Sequence, residues 1–393
     1  MKYLLDSRLF WLWGSMMVLF SRRISVVVLF AFIGGVALFT MPAAASNLDV
    51  SVEEWGATPE GHEIQLYTLS NKQGMTVQVT NYGATVVSVN TADRNGKIAN
   101  INLGFDSLDG YQLGHPYFGA TVGRYCNRIA NGKFSINGTE YTLAQNNGDH
   151  HLHGGEKGFN RVVWSARVVR RLGGIGVEFS YESVDGEEGY PGNVSVTATY
   201  VLTNRNELVV DLQAETDQLT HVNLTNHNYW NLSGVGSGTI HDHVLQVEAD
   251  HSLAVDAGLI PTGELLEVEG TPLDFRTSRA MGEQIEKNDL DPNGYDHCFV
   301  LNSKGRRQTL AAAVTDPASG RVMKIFTDQP SLQFYTGNFL SGSEADGGNE
   351  YQTAFCLETQ HFPNSPNTDT FPSTLLHPGQ RYRHVTVHAF SAE

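Results

Sequence analysis

Basic residues are in short supply in this chain: 26 Lys and Arg stand against 42 Asp and Glu, a net charge of −16. Nucleic acid and anionic membrane surfaces are recognised first by clustered positive charge, so neither is an expected partner. Cysteine is scarcer still. Cys126, Cys298 and Cys356 form no CxxC pair and no Cys/His zinc spacing. An odd, sparse count is not a disulfide framework, and the apolar or aromatic context of each predicts a buried thiol. Long stretches of helical period are missing too; only 107–111 ("SLDGY") and 281–287 ("MGEQIEK") read as helical. No Pro/Ser-rich linker divides residues 46–393, and no internal repeat stands out.

Strand signals fill the remainder. "MTVQVT" (75–80) and "TVVSVN" (85–90) alternate around "NYGA". Asn95-Gly96 and Asn137-Gly138 mark turns, the second between two short strands of a hairpin. Residues 193–216 read as two longer strands around "TNRNE", and "QRYRHVTVHAF" alternates near the end. Short strands at regular spacing, with 40 glycines to turn between them, predict an all-β fold, a β-sandwich or related sheet packing.

The first 45 residues are of another kind. An apolar run at 24–40 follows Ser21-Arg22-Arg23 and precedes "MPAAAS". That is the order of an export signal, with cleavage expected between Ala45 and Ser46. The arginine pair partly matches a twin-Arg signal. The competing reading is an uncleaved anchor, for which the apolar run is short. The unusual stretch "YLLDSRLFWLWGSMMVLF" ahead of it suggests a translation start at Met16 or Met17. The expectation is therefore a signal peptide over 1–45 and a single domain over 46–393. That domain is expected to be exported to the periplasm or beyond and, once cleaved, to have no stable membrane association.

Polar clusters interrupt the strand-like sequence. "NLTNHNYWNLSG" (223–234) crowds Asn223, Asn226, Asn228 and Asn231 around His227, Tyr229 and Trp230. Asparagine suits neither helix nor strand interiors, and amides beside rings suit a ligand both flat and polar, as a sugar is. On this reading the asparagines fix His227 and meet hydroxyls, while Tyr229 or Trp230 packs the apolar sugar face. "HHLHGGEKGF" (150–159) offers histidines, a common metal ligand. No acidic or cysteine cluster lies near it, so no metal is expected. Glu358 follows the apolar "AFCL", where a strand enters the interior. A carboxylate is rarely buried without a partner, and either Arg128 or a ligand must compensate it.

"GRYCNRIANGKF", "LHGGEKGF", "NLTNHNYWNL", "YDHCFVL", "QFYTGNFL" and "FCLETQHFPNSPN" occur in that order. Together they resemble the ordered motifs of the aldose 1-epimerase, or galactose mutarotase, family over roughly residues 60–390. The resemblance implies a large antiparallel β-sandwich of that type with few short helices, with the site in an open cleft on one sheet and no cofactor. It implies Glu358 as catalytic base and His227 as catalytic acid. It places Asn127, Arg128, His153, Asp296 and Gln333 at sugar-binding positions. Cys126 stands where the family often has a small residue.

The chemistry fits those residue types. To exchange anomers, the C1 hydroxyl must lose a proton while the ring oxygen O5 gains one. A carboxylate ionised near neutrality and an imidazole that holds its proton there, fixed on either side of C1–O5, supply both at once. The implied substrates are free hexoses, galactose and glucose. Two alternatives stand beside this: a non-catalytic sugar-binding protein on the same fold, and a glycoside hydrolase using Glu358 and Asp296.

Overall fold

A strand that alternates apolar and polar residues buries one face only, and the alternating segments here do form strands. The computed structural model describes residues 48–393 except 172 and 289. The expected signal peptide, its cleavage site and the alternative start lie outside the described residues. Leu48–Glu393 make one compact unit. No helix among the described residues is long and apolar enough to cross a membrane.

Three antiparallel sheets carry the architecture. The largest has nine strands, in the order Ser165–Arg171, Gly174–Ser183, Val194–Thr203, Glu207–Thr216, Tyr382–Ala392, Arg321–Thr327, Thr309–Thr315, Val244–Val247, Arg279–Ala280. A five-stranded sheet runs from Asp49–Ala57 to Ile98–Asn100 in chain order. A second five-stranded sheet orders Pro261–Glu267, His251–Val255, Asp296–Val300, Ser331–Tyr335 and Cys356–Gln360. One apolar cluster joins all three: Val77 and Val79, then Val177, Val196 and Leu212, then Phe299, Phe334 and Leu357. That is the filling of a β-sandwich, nine strands against five and five.

Local chemistry sets the turns. Asn137 and Gly138 both take positive φ, 51° and 81°, so the hairpin Lys133–Ile136/Thr139–Thr142 closes with the twist its strands need. "SLDGY" becomes the single helical turn Leu108–Gln112. "MGEQIEK" is not one helix but two short 3₁₀ turns, Met281–Glu283 and Ile285–Lys287, because Gln284 leaves helical geometry at φ −123°.

The second five-stranded sheet positions the site. Phe299, Leu332, Phe334 and Leu357 point to the core. By the two-residue period, Asp296, Cys298, Gln333, Tyr335, Cys356 and Glu358 occupy the opposite face. All five residues of Cys356–Gln360 are buried, so this strand is covered on both sides.

Candidate active site

Register brings the polar side chains together. Gln333 pairs with Glu358 across one strand boundary and with Cys298 across the other, while Asp296 pairs with Tyr335. Gln333 Nε2 donates to Asp296 Oδ1 at 2.6 Å. The Arg128 guanidinium nitrogen Nη2 lies 4.0 Å from Asp296 Oδ2. Arg128 Nε donates to Asn147 Oδ1 at 3.2 Å, and Asn147 is a residue that sequence patterns did not single out.

His227 arrives from the other direction, just after Thr225–Asn226, which pairs with Thr121–Val122. Its N–H donates to the Ala120 carbonyl and its carbonyl accepts from Gly119 N–H, both at 2.9 Å. The ring lies between two tyrosines. Tyr229 stacks at 5.0 Å and 14°, Tyr117 at 5.8 Å and 20°. Nε2 is 3.6 Å from Glu358 Oε1.

The aromatic and amide residues around His227 serve differently from the sequence expectation. Trp230 is fully buried and packs on His388 and Phe390, away from any ligand. Tyr229 is spent on the imidazole. Asn223 brackets the His361 backbone through Oδ1 and Nδ2. Asn226 donates to the Gly119 carbonyl at 2.9 Å, and Asn231 to those of Gly238 and Thr353. Asn223, Asn226 and Asn231 thus tie the loop that carries His227 to surrounding backbone, whereas both side-chain polar atoms of Asn228 are buried without a hydrogen-bond partner among the described residues. Tyr117, absent from the sequence reading, lies against both His227 and His153. Nothing local in "GHPYFGA" signals it.

His153 and Asn127 face each other across the short pairing of Arg128–Ile129 with His151–Leu152. Both have left-handed backbone, φ 51° and 60°. Asn127 N–H donates to His153 Nδ1, and His153 N–H returns a bond to the Asn127 carbonyl, each at 3.1 Å. Asn127 Oδ1 accepts the Arg128 N–H at 2.8 Å. His151 belongs elsewhere, between the Ala144 carbonyl and the Tyr190 hydroxyl. The close approach that fixes His153 depends on Gly154. At φ 91°, a Cβ there would sit 1.9 Å from the Gly123 carbonyl oxygen. Gly154→Ala should therefore lower stability by more than about 2 kcal/mol. Urea unfolding checks this; an unchanged midpoint would refute it.

Burial governs the charges. Glu358 is 3% exposed and its carboxyl is pushed well up by desolvation; Asp296 pushes it further and the Arg128 guanidinium opposes. Burial depresses the His227 imidazole to about 3. It also drives His153 well below the usual range, with His227 and Arg128 adding to the effect. Asp296 is raised by burial against the pull of Arg128 and Gln333. The low-dielectric site thus favours a neutral pair, with one proton on Glu358 and an uncharged imidazole, in place of the ionised carboxylate and protonated imidazole expected from the sequence, because burial penalises both charges. Glu358 Oε2 and Gln333 Oε1 are buried and have no hydrogen-bond partner among the described residues. Leaving such atoms unpaired costs about 1–3 kcal/mol each, and a hydroxyl-rich ligand would recover it.

The ligand atoms of His153, His227 and Glu358 lie within 4.8 Å of one another, close enough for a divalent ion. Nδ1 of His153 is already engaged by Asn127, and the Arg128 guanidinium nearby disfavours a cation. Outward from Arg128 and Asp296, a cleft of about 570 Å³ opens between Asn147, His150, Asp256 and Phe339. All seven residues singled out from the sequence form one contiguous cluster, and of these Arg128 and Asp296 line the cleft. The three thiols are buried and free, as expected; Cys126 donates to Gln360 Oε1 at 3.3 Å.

Residues 65–389 match the family model described as aldose 1-epimerase. A galactose mutarotase of Sus scrofa is 44% identical over 348 residues, covering 88% of this chain and 99% of its own. An aldose 1-epimerase of Escherichia coli is 37% identical, covering 85% and 97%. Among solved structures, a galactose 1-epimerase of Lactobacillus acidophilus superposes with a TM-score of 0.78 at 29% identity, over 88% of this chain and 99% of that one. An aldose epimerase homologue from Caenorhabditis elegans gives 0.76 at 33%, over 83% and 98%.

Proposed function

The chain belongs to the aldose 1-epimerase family, and on that premise we propose that Glu358 and His227 open and reclose the pyranose ring of free galactose or glucose. The enzyme is an isomerase of the mutarotase type, interconverting the α and β anomers of hexoses. The observation that carries the residue assignment is the 3.6 Å approach of His227 Nε2 to Glu358 Oε1, with Glu358 Oε2 unpartnered beside it. O1 and O5 are both bonded to C1. A base and an acid this close together can each address one of them.

The proton inventory follows. With the ring closed, the assigned roles need a carboxylate and an imidazolium. Glu358 takes the O1 proton and His227 gives one to O5, so the open chain faces a neutral acid and a neutral imidazole. Rotation about C1–C2 and the reverse transfers close the ring on its other face. Desolvation disfavours the charged pair and favours the neutral one, so burial promotes the ring-opening transfer. Arg128 limits that cost by stabilising the glutamate charge. Asp296, Gln333, Asn127 and His153 supply acceptors and donors for the remaining hydroxyls.

The pair works while it holds a single proton. Acid adds a second only below the depressed value of His227, about 3. Base removes the last one only above the raised value of Glu358. Hence kcat/KM, which reports the free enzyme, should show no fall with acid at 6.5, the ordinary histidine value, and should drop only as the pH approaches about 3. A pH series of initial polarimetric rates checks this, and a break near 6.5 would show a charged His227 in the free enzyme.

Polarimetry on freshly dissolved α-galactose and α-glucose tests the whole reading: both should relax faster than in buffer. Binding without acceleration would instead favour the sugar-binding alternative. The hydrolase alternative, with Glu358 and Asp296 as its carboxylate pair, leaves His227 without a role although its Nε2 is held 3.6 Å from Glu358 Oε1. The signal-like N-terminus supports action outside the cytoplasm; N-terminal sequencing of protein from the native host should begin at Ser46.

A further inference from the structure

The geometry points to Cys356 as the residue that orients the His227 imidazole: its sulfur accepts the Nδ1–H, so that Nε2 is the nitrogen free to exchange protons with Glu358 and the sugar. This rests on the acid and base roles proposed above. Cys356 and Glu358 stand two residues apart on one strand, so their side chains share its site face. Cys356 Sγ lies 3.6 Å from His227 Nδ1, and Glu358 Oε1 lies 3.6 Å from His227 Nε2. One strand therefore addresses both ring nitrogens. The stacked Tyr117 and Tyr229 hinder the ring from turning out of that register.

The reaction requires this polarity. When an imidazolium gives its Nε2 proton to O5, the neutral ring that remains is protonated at Nδ1. That N–H needs an acceptor until ring closure returns the other proton. A carboxylate there would hold the imidazolium and blunt its acidity. A thiol sulfur is only a weak acceptor; it sets the orientation of the ring without competing for its charge. Burial pushes the Cys356 thiol well up, so it stays neutral throughout. Cys356 is completely buried, and the His227 ring is its contact with the reacting groups. It is a positioning residue, with no access to the sugar.

Nitrogen-15 NMR of histidine-labelled wild-type protein reads the tautomer directly. The expected spectrum shows His227 neutral near pH 7, protonated at Nδ1 and bare at Nε2. In Cys356→Ala the tautomers should mix, and kcat for glucose mutarotation should fall about tenfold or more with KM unchanged. Cys356→Ser, whose hydroxyl also accepts, should recover most of the loss. A wild-type ring protonated at Nε2 overturns the assignment, as does a Cys356→Ala enzyme with wild-type kcat. Should the alanine variant fail to fold, the wild-type spectrum alone decides. Absence of mutarotation in the wild-type enzyme would strike the parent reading instead, and the tautomer would still be measurable.

Discussion

Glu358→Gln should yield a folded protein that binds galactose nearly as well as the wild type and no longer speeds its mutarotation. The amide keeps the shape of the carboxyl and can still meet a hydroxyl, so binding has little to lose. It cannot take the O1 proton. Loss of a positioned general base is worth about 10²- to 10⁴-fold, or about 3–5.5 kcal/mol of barrier. Stability should move the other way or not at all. Glu358 is buried beside Asp296, and burial already disfavours its charge. A neutral amide removes that burden, as is common where a site is strained for function. Three measurements on one variant make the case: polarimetric kcat, galactose affinity by calorimetry, and the melting temperature. A variant keeping more than a tenth of wild-type kcat would remove Glu358 from the role of base.

The same glutamate shows what a sequence can disclose. It was legible because a charge stood in an apolar strand, a conflict that local pattern exposes directly. His227 was legible for a reason that proved only half right. The amides around it do mark an unusual segment, but Asn223, Asn226 and Asn231 tie down backbone, while Asn228 keeps both side-chain polar atoms buried and unpartnered among the described residues. Trp230, large and three residues beyond the histidine, faces the core. In irregular backbone no two-residue period tells which way a side chain points, so its orientation was not readable. Tyr117 and Asn147 come to the site through tertiary contacts alone and leave no local trace.

Sheet order was hidden for a related reason. "QRYRHVTVHAF" announces a strand by its alternation, and Tyr382–Ala392 is one. Its neighbours are Glu207–Thr216 and Arg321–Thr327, far away in the chain. Alternation states which face is buried; it does not name the partner strand. The site depends on such pairing, since the Gln333–Glu358 register aligns the groups that converge there.

His227→Gln is the complementary experiment, and its value lies in combination with the first. The glutamine amide reaches toward the place of Nε2 and can hydrogen-bond, but it has no proton to hand to O5. Alone it should lower kcat by about 10²- to 10⁴-fold. If the two groups shuttle one proton between them through the sugar, removing either already stops the cycle. The double variant should then be scarcely slower than the worse single variant, far from the product of the two losses. The 3.6 Å separation makes such coupling physically reasonable, because each group's proton affinity depends on the other's charge. Losses that simply multiply would mean independent roles, for instance a base at Glu358 with His227 merely holding the ring in place. The paired transfer would then give way to a mechanism in which O5 draws its proton from another donor, and His153, whose ring lies 5.1 Å from that of His227, would be the next residue to replace.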